Sequence, residues 1–342
     1  MRDLASIQVV RGLRPIPNAD SIECATVLGW HVVVKKNEFA VGDRVVYVEI
    51  DSILPEKPEF EFMRARGFRV KTIKLRGQIS QGICFPMDIL PEGEYVEGDD
   101  VSEVLGVTKW EPKEVDAFGH SKCGRIKTFP AFIPKTDETR VQSIPEVVEK
   151  YQGVEFYATE KLDGSSLTVF KKDGVFHVCS RNMMLEEYVV GNRYWEAVRA
   201  LGLEERLPEG KALQGELLGP GVQGNKYKLN DYVIRWFSAF DLVEGKYMGV
   251  DDLLDLVDRV DPRGANGVVP IIGRGDLLQG QNVDSLVSYV QGLKSTLNEG
   301  TPMEGLVFRA ATEIEDFYIG QLANNRVSFK VINPEFLLKY DA

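Results

Sequence analysis

The sequence predicts an α+β protein in which a small β-barrel at the amino terminus precedes a larger domain of mixed helices and strands. Several short β-branched segments occur in the first hundred residues, which is typical of small barrels. The stretch between about 110 and 145 is rich in proline and lacks periodicity, so it predicts a connector. The remainder mixes strand and helix patterns, and 342 residues suit about two domains.

Four apolar segments predict strands of the barrel, which we assign to residues 1–110. They are HVVVKK at 31–36, RVVYVEI at 44–50, RVKTIKL at 69–75 and ICFPM at 83–87. The proline, glycine, asparagine and aspartate residues between them favour tight turns.

We assign residues 111–144 to the connector and residues 145–342 to the second domain. Pro145 is favourable at the start of a helix, and Asp173-Gly174 between two β-branched segments predicts a hairpin. Helices are predicted at 186–202 and, from apolar residues at helical spacing, at 283–297. Further strands are predicted at 156–161, 212–219, 233–242, 304–310 and 327–332.

The composition excludes several classes of protein. With 41 basic and 52 acidic residues the net charge is −11, so a uniformly basic surface for nucleic acid is excluded. No apolar run approaches the ~18 residues that a membrane helix needs, and the amino terminus lacks a signal-peptide pattern. Four cysteines without a CxxC pair and three histidines argue against a disulfide framework or a zinc cage. We therefore expect a soluble, cytoplasmic protein whose metal, if any, is Mg²⁺ or Mn²⁺ held by carboxylates and water.

A basic run lies inside this acidic chain. No acidic residue occurs from Phe62 to Met87. The basic residues within it, which cluster around Phe68, are Arg64, Arg66, Arg69, Lys71, Lys74 and Arg76. Such segregation concentrates positive potential, for which the phosphate backbone of nucleic acid is the usual partner. The alternative is a solvated surface without a partner.

The segment Glu160-Lys161-Leu162-Asp163-Gly164 carries the strongest chemical signal. It places a lysine at the end of a predicted strand, followed by a tight Asp-Gly turn. A lysine is a covalent nucleophile once it is neutral, which requires desolvation or neighbouring positive charge. Taken alone, the pattern is also typical of an ordinary turn.

Further motifs follow in a fixed order, at offsets of 55, 79, 143 and 169 residues from Lys161 for the last four. They are Ser180-Arg181-Asn182, Glu216 in GEL, Phe240-Asp241 in FSAFDL, Glu304-Gly305 in EGLVFR and Lys330 in SFKVI. The ordered set resembles the covalent nucleotidyltransferase superfamily of polynucleotide ligases and mRNA capping enzymes. The resemblance covers about 135–332. It implies a nucleotidyltransferase domain, ATP-grasp-like, of antiparallel sheets with flanking helices.

The order of the modules resembles the fifth RNA ligase family, in which an OB domain precedes the nucleotidyltransferase domain. Only 12 residues follow Lys330, too few for the carboxy-terminal OB domain of DNA ligases and capping enzymes. KTDETRVQ at 135–142, GPGVQGNKYKL at 219–229 and the early PIPNADSIECATVLGW also resemble that family. The first hundred residues are similar to the tRNA-binding OB modules of some synthetases. Many ligases have two lysines in the last motif, whereas Ser328 stands here in place of one of them.

The resemblance implies that Lys161 attacks the α-phosphate of ATP to form lysyl-AMP. It further implies that a divalent metal, Mg²⁺ or Mn²⁺, is held through water by carboxylates. The implied metal-holding residues are Asp163, Glu216 and Glu304. The implied nucleotide-binding residues are Glu160 and Leu162 beside the base, Phe240 stacked on adenine, Arg140 and Arg181 on ribose or phosphate, and Lys330 on the α-phosphate. For the two arginines a structural salt bridge remains the alternative.

The implied reaction is ATP-dependent sealing of 3′-hydroxyl and 5′-phosphate ends. The implied substrate is a nicked duplex with RNA on the 3′-hydroxyl side, and the implied enzyme is a monomer without membrane contact. Two alternatives remain open: a GTP-dependent capping-type nucleotidyltransferase, and an RNA-binding adaptor with little or no activity. A ligase acting mainly on DNA is disfavoured, because no carboxy-terminal OB domain is expected.

Overall fold

The amino-terminal part of the chain is built from ten short strands. The computed structural model describes residues 3–111, 127–187 and 191–340. The strands are β1 (Ala5–Pro15), β2 (Ile22–Val27), β3 (Trp30–Lys35), β4 (Arg44–Val48), β5 (Ser52–Ile53), β6 (Arg69–Val70), β7 (Thr72–Leu75), β8 (Gln78–Gln81), β9 (Ile83–Phe85) and β10 (Thr108–Lys109), with a short helix α1 (Ser102–Leu105).

Five of these strands form one antiparallel sheet in the order β3-β2-β1-β4-β9. A bulge between Val10 and Gly12 interrupts the pairing of β1 with β2, and bulges of this kind bend a strand and increase its twist. The long β1 therefore pairs with β2 in one half of a curved sheet and with β4 in the other. Fully buried side chains such as Ile7, Trp30 and Tyr47 fill the interior of this sheet. The predicted amino-terminal barrel is present.

One predicted strand is divided in two. The segment 69–75 is interrupted at Lys71, so that β6 pairs with β5 whereas β7 forms a separate hairpin with β8. Alternating apolar residues cannot reveal which partner each half of a strand takes, because pairing depends on the tertiary structure.

The second part of the chain contains two sheets and six helices among its described residues. The strands are β11 (Lys127–Thr128), β12 (Thr139–Arg140), β13 (Phe156–Lys161), β14 (Ser165–Lys172), β15 (Val175–Cys179), β16 (Met183–Leu185), β17 (Lys211–Leu218), β18 (Val233–Asp241), β19 (Lys246–Tyr247), β20 (Ile271–Gly275), β21 (Gly305–Ala310) and β22 (Ser328–Ile332). The helices are α2 (Glu146–Lys150), α3 (Arg193–Ala200), α4 (Leu203–Arg206), α5 (Val250–Val260), α6 (Val283–Gln291) and α7 (Pro334–Tyr340).

The larger sheet has the order β11-β16-β15-β14-β17-β18-β19, and the smaller has the order β12-β22-β21-β13-β20. All pairs are antiparallel except β12 with β22. Side chains from both sheets meet: Arg326 before β22 donates to the Ser238 hydroxyl of β18 at 3.0 Å, and the Arg309 guanidinium of β21 lies 5.5 Å from the Phe237 ring of β18. The two sheets therefore share the space in which the motif residues lie.

Two predicted helices are longer than the observed ones. Of the helix expected at 186–202, residues 188–190 lie outside the described residues. In the described part a helix begins at Arg193, where the Asn192 side chain accepts the backbone N–H groups of Tyr194 and Trp195 and so caps it. The helix expected at 283–297 ends at Gln291. Leu293 and Leu297 lie after the helix but still pack against hydrophobic cores. The apolar residues at these positions therefore reflect buried loop residues and not a continued helix.

The connector predicted at 111–144 is described from residue 127 onward, and residues 112–126 lie outside the described residues. Its last part joins the two domains. The Ser143 hydroxyl donates to Glu49 Oε1 at 2.6 Å, and the Gly29 N–H donates to the Gln142 carbonyl at 2.9 Å. Among the described helices, none combines the length and the apolar character that crossing a bilayer requires.

Candidate active site

Lys161 lies where β13 leaves the protein core. The five preceding residues of this strand are buried, whereas the side chain of Lys161 is about a quarter exposed. Its Nζ lies 2.6 Å from Glu304 Oε1, and Glu304 immediately precedes β21, the neighbour of β13. Adjacent strand ends therefore hold the amine and this carboxylate together.

The turn after Lys161 packs tightly against β17. A Cβ atom at Gly164 would lie 2.4 Å from the Leu217 carbonyl oxygen and 2.9 Å from Glu216 Cγ, so only glycine fits. The Gly164 N–H donates to Glu216 Oε1 at 2.9 Å. This close approach brings Glu216 of the larger sheet to the end of β13, which belongs to the smaller sheet.

The predicted carboxylates dominate the electrostatics of Lys161. Burial lowers the pKa of its ammonium group, but the charges of Glu304, Glu216 and Asp163 outweigh burial and raise it. Burial raises the pKa of Glu216 to about 8, with Glu304 and Asp163 adding repulsion and Lys161 opposing it. In this state Lys161 is therefore a protonated amine, and a lysine amine acts as a nucleophile only after it has lost that proton.

The raised pKa of Glu216 predicts a pH-dependent cost in stability. A folded-state pKa of about 8 against 4.5 for the free side chain means that the folded protein binds this proton more tightly, so stability falls as pH rises from about 4.5 to about 8. Glu216→Gln removes this cost. We expect its Tm to exceed the parent's by at least about 2–4 °C at pH 8, with the difference vanishing near pH 4. Differential scanning calorimetry at both pH values measures this, and an equal Tm at pH 8 would contradict it.

The carboxylates fit a hydrated metal ion better than directly bound metal. Glu304 Oε2 is buried and has no hydrogen-bond partner among the described residues, so a donor from outside the chain would satisfy it. No set of three or more histidine, cysteine, aspartate or glutamate side chains in the described ranges is placed as a metal cage. Asp163, Glu216 and Glu304 suit an ion such as Mg²⁺ that keeps several of its waters.

Lys330 and Ser328 lie on β22, one strand beyond β21. Lys330 pairs in register with Val307, and its charge opposes the rise that burial causes in the pKa of Glu304. The Ser328 hydroxyl donates to Glu138 Oε2 at 2.6 Å, and Glu138 Oε1 accepts from Arg309 at 2.8 Å. Lys330 thus belongs to the site, whereas Ser328 serves a neighbouring polar network.

The two arginines predicted to bind the nucleotide make ion pairs. Arg140 Nη2 lies 3.0 Å from Asp51 Oδ2 in the amino-terminal domain, while its Nε and Nη1 are buried with no partner in the part of the chain that is described. Arg181 is half exposed and lies 2.6 Å from Asp137. Arg140 pairs in register with Lys330 of the adjacent strand β22. This register places Arg140 beside the site, whereas no strand pairing in the described part of the chain links Arg181 to it.

Three predicted base-binding residues are buried elsewhere. The Glu160 carboxylate accepts from the Thr296 backbone and hydroxyl at 3.0 and 2.5 Å, and Leu162 packs in the core beneath the larger sheet. Phe240 is 4% exposed and contacts Tyr247 edge-on at 5.3 Å between ring centroids. Both Leu162 and Phe240 are enclosed by hydrophobic neighbours in this structure, and their contact with a base stays a prediction.

The basic run is less uniform than its sequence indicates. Arg69 is buried, with its guanidinium 3.7 Å from Asp51 and 3.2 Å over the Trp110 ring, so its binding to nucleic acid stays a prediction. Arg64 is paired with Glu61 and Glu56, which precede the run in the chain. The members that remain accessible are Arg66, Lys71, Lys74 and Arg76, of which Lys71 is partly buried.

The sequence predicted no role for two residues that lie at the site. The Lys226 ammonium forms an ion pair with the Asp163 carboxylate, and the Tyr227 hydroxyl accepts the Asp163 backbone N–H at 2.8 Å. Both lie in GPGVQGNKYKL, one of the segments that resemble the fifth RNA ligase family, and that resemblance was the signal the sequence offered.

Comparisons with known proteins agree with this arrangement. An OB-fold domain family matches residues 4–87, and the RNA ligase family matches residues 154–332. No curated protein sequence matches the chain.

Solved structures of an RNA ligase from Naegleria gruberi are similar over the whole length. A glutamate-to-alanine mutant with ATP and Mn is 36% identical, with a TM-score of 0.86 and full coverage of both chains (100% and 100%). A lysine-to-alanine mutant with ATP and Mn and a lysine-to-methionine mutant with AMP and Mn are each 36% identical, with TM-scores of 0.85 and 99% coverage of both chains.

These matches confirm the predicted fold class, an amino-terminal OB domain followed by a sheet-rich ligase domain. They also confirm the predicted enzyme class. Lys161 and the turn after it, the neighbouring carboxylates and Lys330 all lie within the matched ligase region. The chain therefore belongs to the RNA ligase family.

Proposed function

We propose that this RNA ligase activates itself with ATP at Lys161 and then seals a 5′-phosphate to a 3′-hydroxyl at a nick in a duplex, with RNA on the 3′-hydroxyl side. The observation that carries this proposal is the Lys161 amine at the end of a buried strand, facing Glu304, Glu216 and Asp163. The N. gruberi ligase, which binds ATP and AMP with Mn in its solved forms, supports the choice of nucleotide.

In the first step, neutral Lys161 Nζ forms a bond to the α-phosphorus of ATP, and the bond from that phosphorus to the bridging oxygen of pyrophosphate breaks. The ammonium has by then released one proton to solvent, and the nitrogen releases a second proton to solvent as the bond to phosphorus forms. AMP next passes to the 5′-phosphate of the nucleic acid, which frees the lysine. Finally the 3′-hydroxyl oxygen attacks that 5′-phosphorus, AMP leaves and the hydroxyl proton is released. Such transfers depend on in-line positioning and on neutralising charge.

The charged residues divide these tasks. Asp163, Glu216 and Glu304 would hold a divalent ion through its waters, and the bound ion would neutralise phosphate charge and disfavour the protonated form of Lys161. Lys330, one strand from Glu304, would bind the α-phosphate. Arg140 has two buried N–H groups without a described partner, and a phosphate or ribose oxygen would satisfy them. Arg181 is exposed enough to leave Asp137 for the nucleotide.

For the ring beside adenine we keep Phe240, as the resemblance implies, and we propose Phe237 of the same strand as the alternative. Phe237 is partly exposed and lies between the two sheets, with the Arg309 guanidinium 5.5 Å from its ring. The flat face of a purine stacks readily on such a ring. Glu160, whose carboxylate accepts a hydrogen bond from the Thr296 hydroxyl, would pack behind the residues that line this side of the cleft.

Covalent labelling tests the nucleotide assignment. ATP and GTP, each labelled at the α-phosphate, are incubated separately with the protein and Mg²⁺, and label on the protein is measured after denaturation. We expect labelling from ATP alone. Labelling from GTP would favour a capping-type enzyme, and absence of labelling together with tight RNA binding would favour an adaptor.

A set of four nicked duplexes tests the substrate assignment. The strand with the 3′-hydroxyl and the strand with the 5′-phosphate are each made of RNA or DNA, giving all four combinations. We expect sealing to require RNA on the 3′-hydroxyl side and to tolerate DNA on the other. Equal sealing of an all-DNA nick would contradict the assignment, even with ATP labelling intact.

The accessible part of the basic run is proposed to hold the duplex. Neutralising Arg66, Lys74 and Arg76 together should weaken binding of nicked RNA by about 10-fold at low salt and reduce its salt dependence, because fewer phosphate counterions are released. Lysyl-AMP formation should be unchanged. Fluorescence anisotropy over a range of salt concentrations measures the first effect.

The matched control neutralises three equally exposed basic residues of the ligase domain, Lys172, Arg206 and Lys246. Binding that falls equally in both triple variants would show that only net charge matters. We propose in addition that the enzyme acts as a monomer in the cytoplasm, where the buried free thiols of Cys24, Cys84 and Cys179 remain reduced.

A further inference from the structure

Lys226 is a cation in GPGVQGNKYKL to which the sequence assigned no role, and it contacts Asp163 of the Lys161 motif. Its ammonium is paired with the Asp163 carboxylate, two residues after Lys161. The side chains of Lys226 and Asp163 are 16% and 22% exposed, so water screens this pair less than it would a surface pair. A buried ion pair of this kind requires a specific geometry, and the surrounding loop supplies it.

The loop that carries Lys226 is held in a strained conformation. Gln223, Asn225 and Lys228 all have positive φ, between 43° and 57°, which is uncommon for residues with a Cβ atom. The Asn225 side chain fixes the loop by bonding to both the N–H and the carbonyl of Leu229, at 3.0 and 2.8 Å. Strain that the surroundings maintain in this way concentrates at functional sites.

The backbone of Lys226 is also held from the other side. Its carbonyl accepts from the Thr301 hydroxyl at 3.0 Å and from the Asn298 amide at 3.4 Å. Both donors lie in the segment that leads to Glu304. The next residue, Tyr227, accepts the N–H of Asp163. The position of Lys226 is therefore tied to both flanks of the nucleophile.

The side chain of Lys226 passes beside two aromatic rings of α7. Its Nζ lies 5.7 Å from the Phe336 ring and 5.4 Å from the Tyr340 ring, within the range of a cation–π interaction. Glu335 of the same helix lies 3.4 Å from Lys74 of the β7–β8 hairpin. The proposed nucleic-acid-binding surface thus reaches, through α7, the side of the site on which Lys226 lies.

Formation of lysyl-AMP changes the charge balance at this site. The Lys161 ammonium loses its positive charge when its nitrogen bonds to phosphorus, and the AMP phosphate adds a negative charge beside Asp163, Glu216 and Glu304. A 5′-phosphate that then approaches brings further negative charge and needs a cation. Lys226 keeps its charge throughout and is already held at Asp163.

We propose that Lys226 is a further substrate-binding residue of the ligase, which receives the 5′-phosphate end of the nucleic acid after Lys161 has been adenylylated. This assignment rests on the proposed function and adds to it a residue for the second and third steps. The strained loop holds Lys226 in place, and the rings of Phe336 and Tyr340 let its ammonium move from Asp163 to the phosphate without full exposure to water.

Three separate reactions test the assignment on the full-length protein: lysyl-AMP formation, transfer of AMP to a 5′-phosphorylated nick, and closure of a nick that already carries AMP on its 5′-phosphate. For Lys226→Gln we expect the first rate to stay within about 3-fold of the parent and the other two to fall by about 10-fold or more. Lys226→Arg should restore the two later rates to within about 3-fold, because it keeps the charge.

Lys228→Gln is the matched control, since Lys228 lies in the same loop and is exposed. It should leave all three rates unchanged. The assignment is overturned if Lys226→Gln matches the parent in all three reactions. It is equally overturned if Lys226→Gln slows all three alike and Lys226→Arg does not restore them, because that pattern indicates a structural role alone. Should the parent fail to form lysyl-AMP, the proposed function is wrong, whereas closure of the pre-adenylylated nick still reports on Lys226.

Discussion

Lys161→Ala should abolish transfer of label from α-labelled ATP to the protein, a loss of at least about 10⁴-fold. The expected size follows from chemistry: alanine has no amine that could form the bond to phosphorus, so the covalent route is removed and not merely slowed. Closure of a pre-adenylylated nick should persist at a measurable rate, because in that step the nucleophile is the 3′-hydroxyl of the RNA. Quantifying labelled protein and sealed RNA from the same preparation measures both.

The control for this experiment is Lys172→Ala, which removes an exposed lysine of the same domain and should behave as the parent in both assays. Persistent labelling of Lys161→Ala at the parental rate would show that another residue is the nucleophile. Loss of both activities, with a lowered Tm, would indicate misfolding, and Lys161→Met, which keeps much of the side-chain volume, then repeats the test.

The sequence was sufficient to predict which residues of the candidate site lie together, because these residues are at or near strand ends. Lys161, Asp163, Glu216 and Glu304 are separated by up to 143 positions along the chain, yet all four interact in the structure. Each comes from a short motif on or beside a strand with a clear β pattern, and antiparallel pairing aligns such ends. Lys330 enters the site for the same reason, through the register of β22 with β21.

The choice of aromatic residue could not be made from the sequence. Trp236, Phe237 and Phe240 share β18, and simple alternation would assign their faces. The register between β17 and β18 shifts at Gln214 and Gly215, so that Ser238 and Trp236 pair with consecutive residues and Phe237 is the extra one. A one-residue bulge changes which side chains share a face, and nothing in the local composition marks its position.

The ion pairs of the arginines could not be predicted for a different reason, since their acidic partners are remote in sequence. Asp51 lies 89 positions before Arg140 and 18 before Arg69, and it pairs with both. An alternating pattern predicts which basic residues face outward from a strand. It does not show whether an acidic residue from another part of the chain packs over them. The contact of Lys226 with Asp163 could not be predicted from the sequence either, because it depends on the strained backbone of a loop.

Glu304→Gln should slow lysyl-AMP formation by about 10²–10³-fold, or about 3–4 kcal/mol in the barrier, and should raise the Mg²⁺ concentration needed for half-maximal rate. Two roles for Glu304 predict opposite results. If Glu304 only paired with Lys161 at 2.6 Å, its loss would lower the pKa of Lys161, leaving more neutral amine and shifting the pH–rate profile to lower pH without loss of maximal rate. If it holds the waters of the metal, the maximal rate itself falls. Glu244→Gln, at an exposed position, is the control, and an unchanged maximal rate in Glu304→Gln would remove this residue from the metal site.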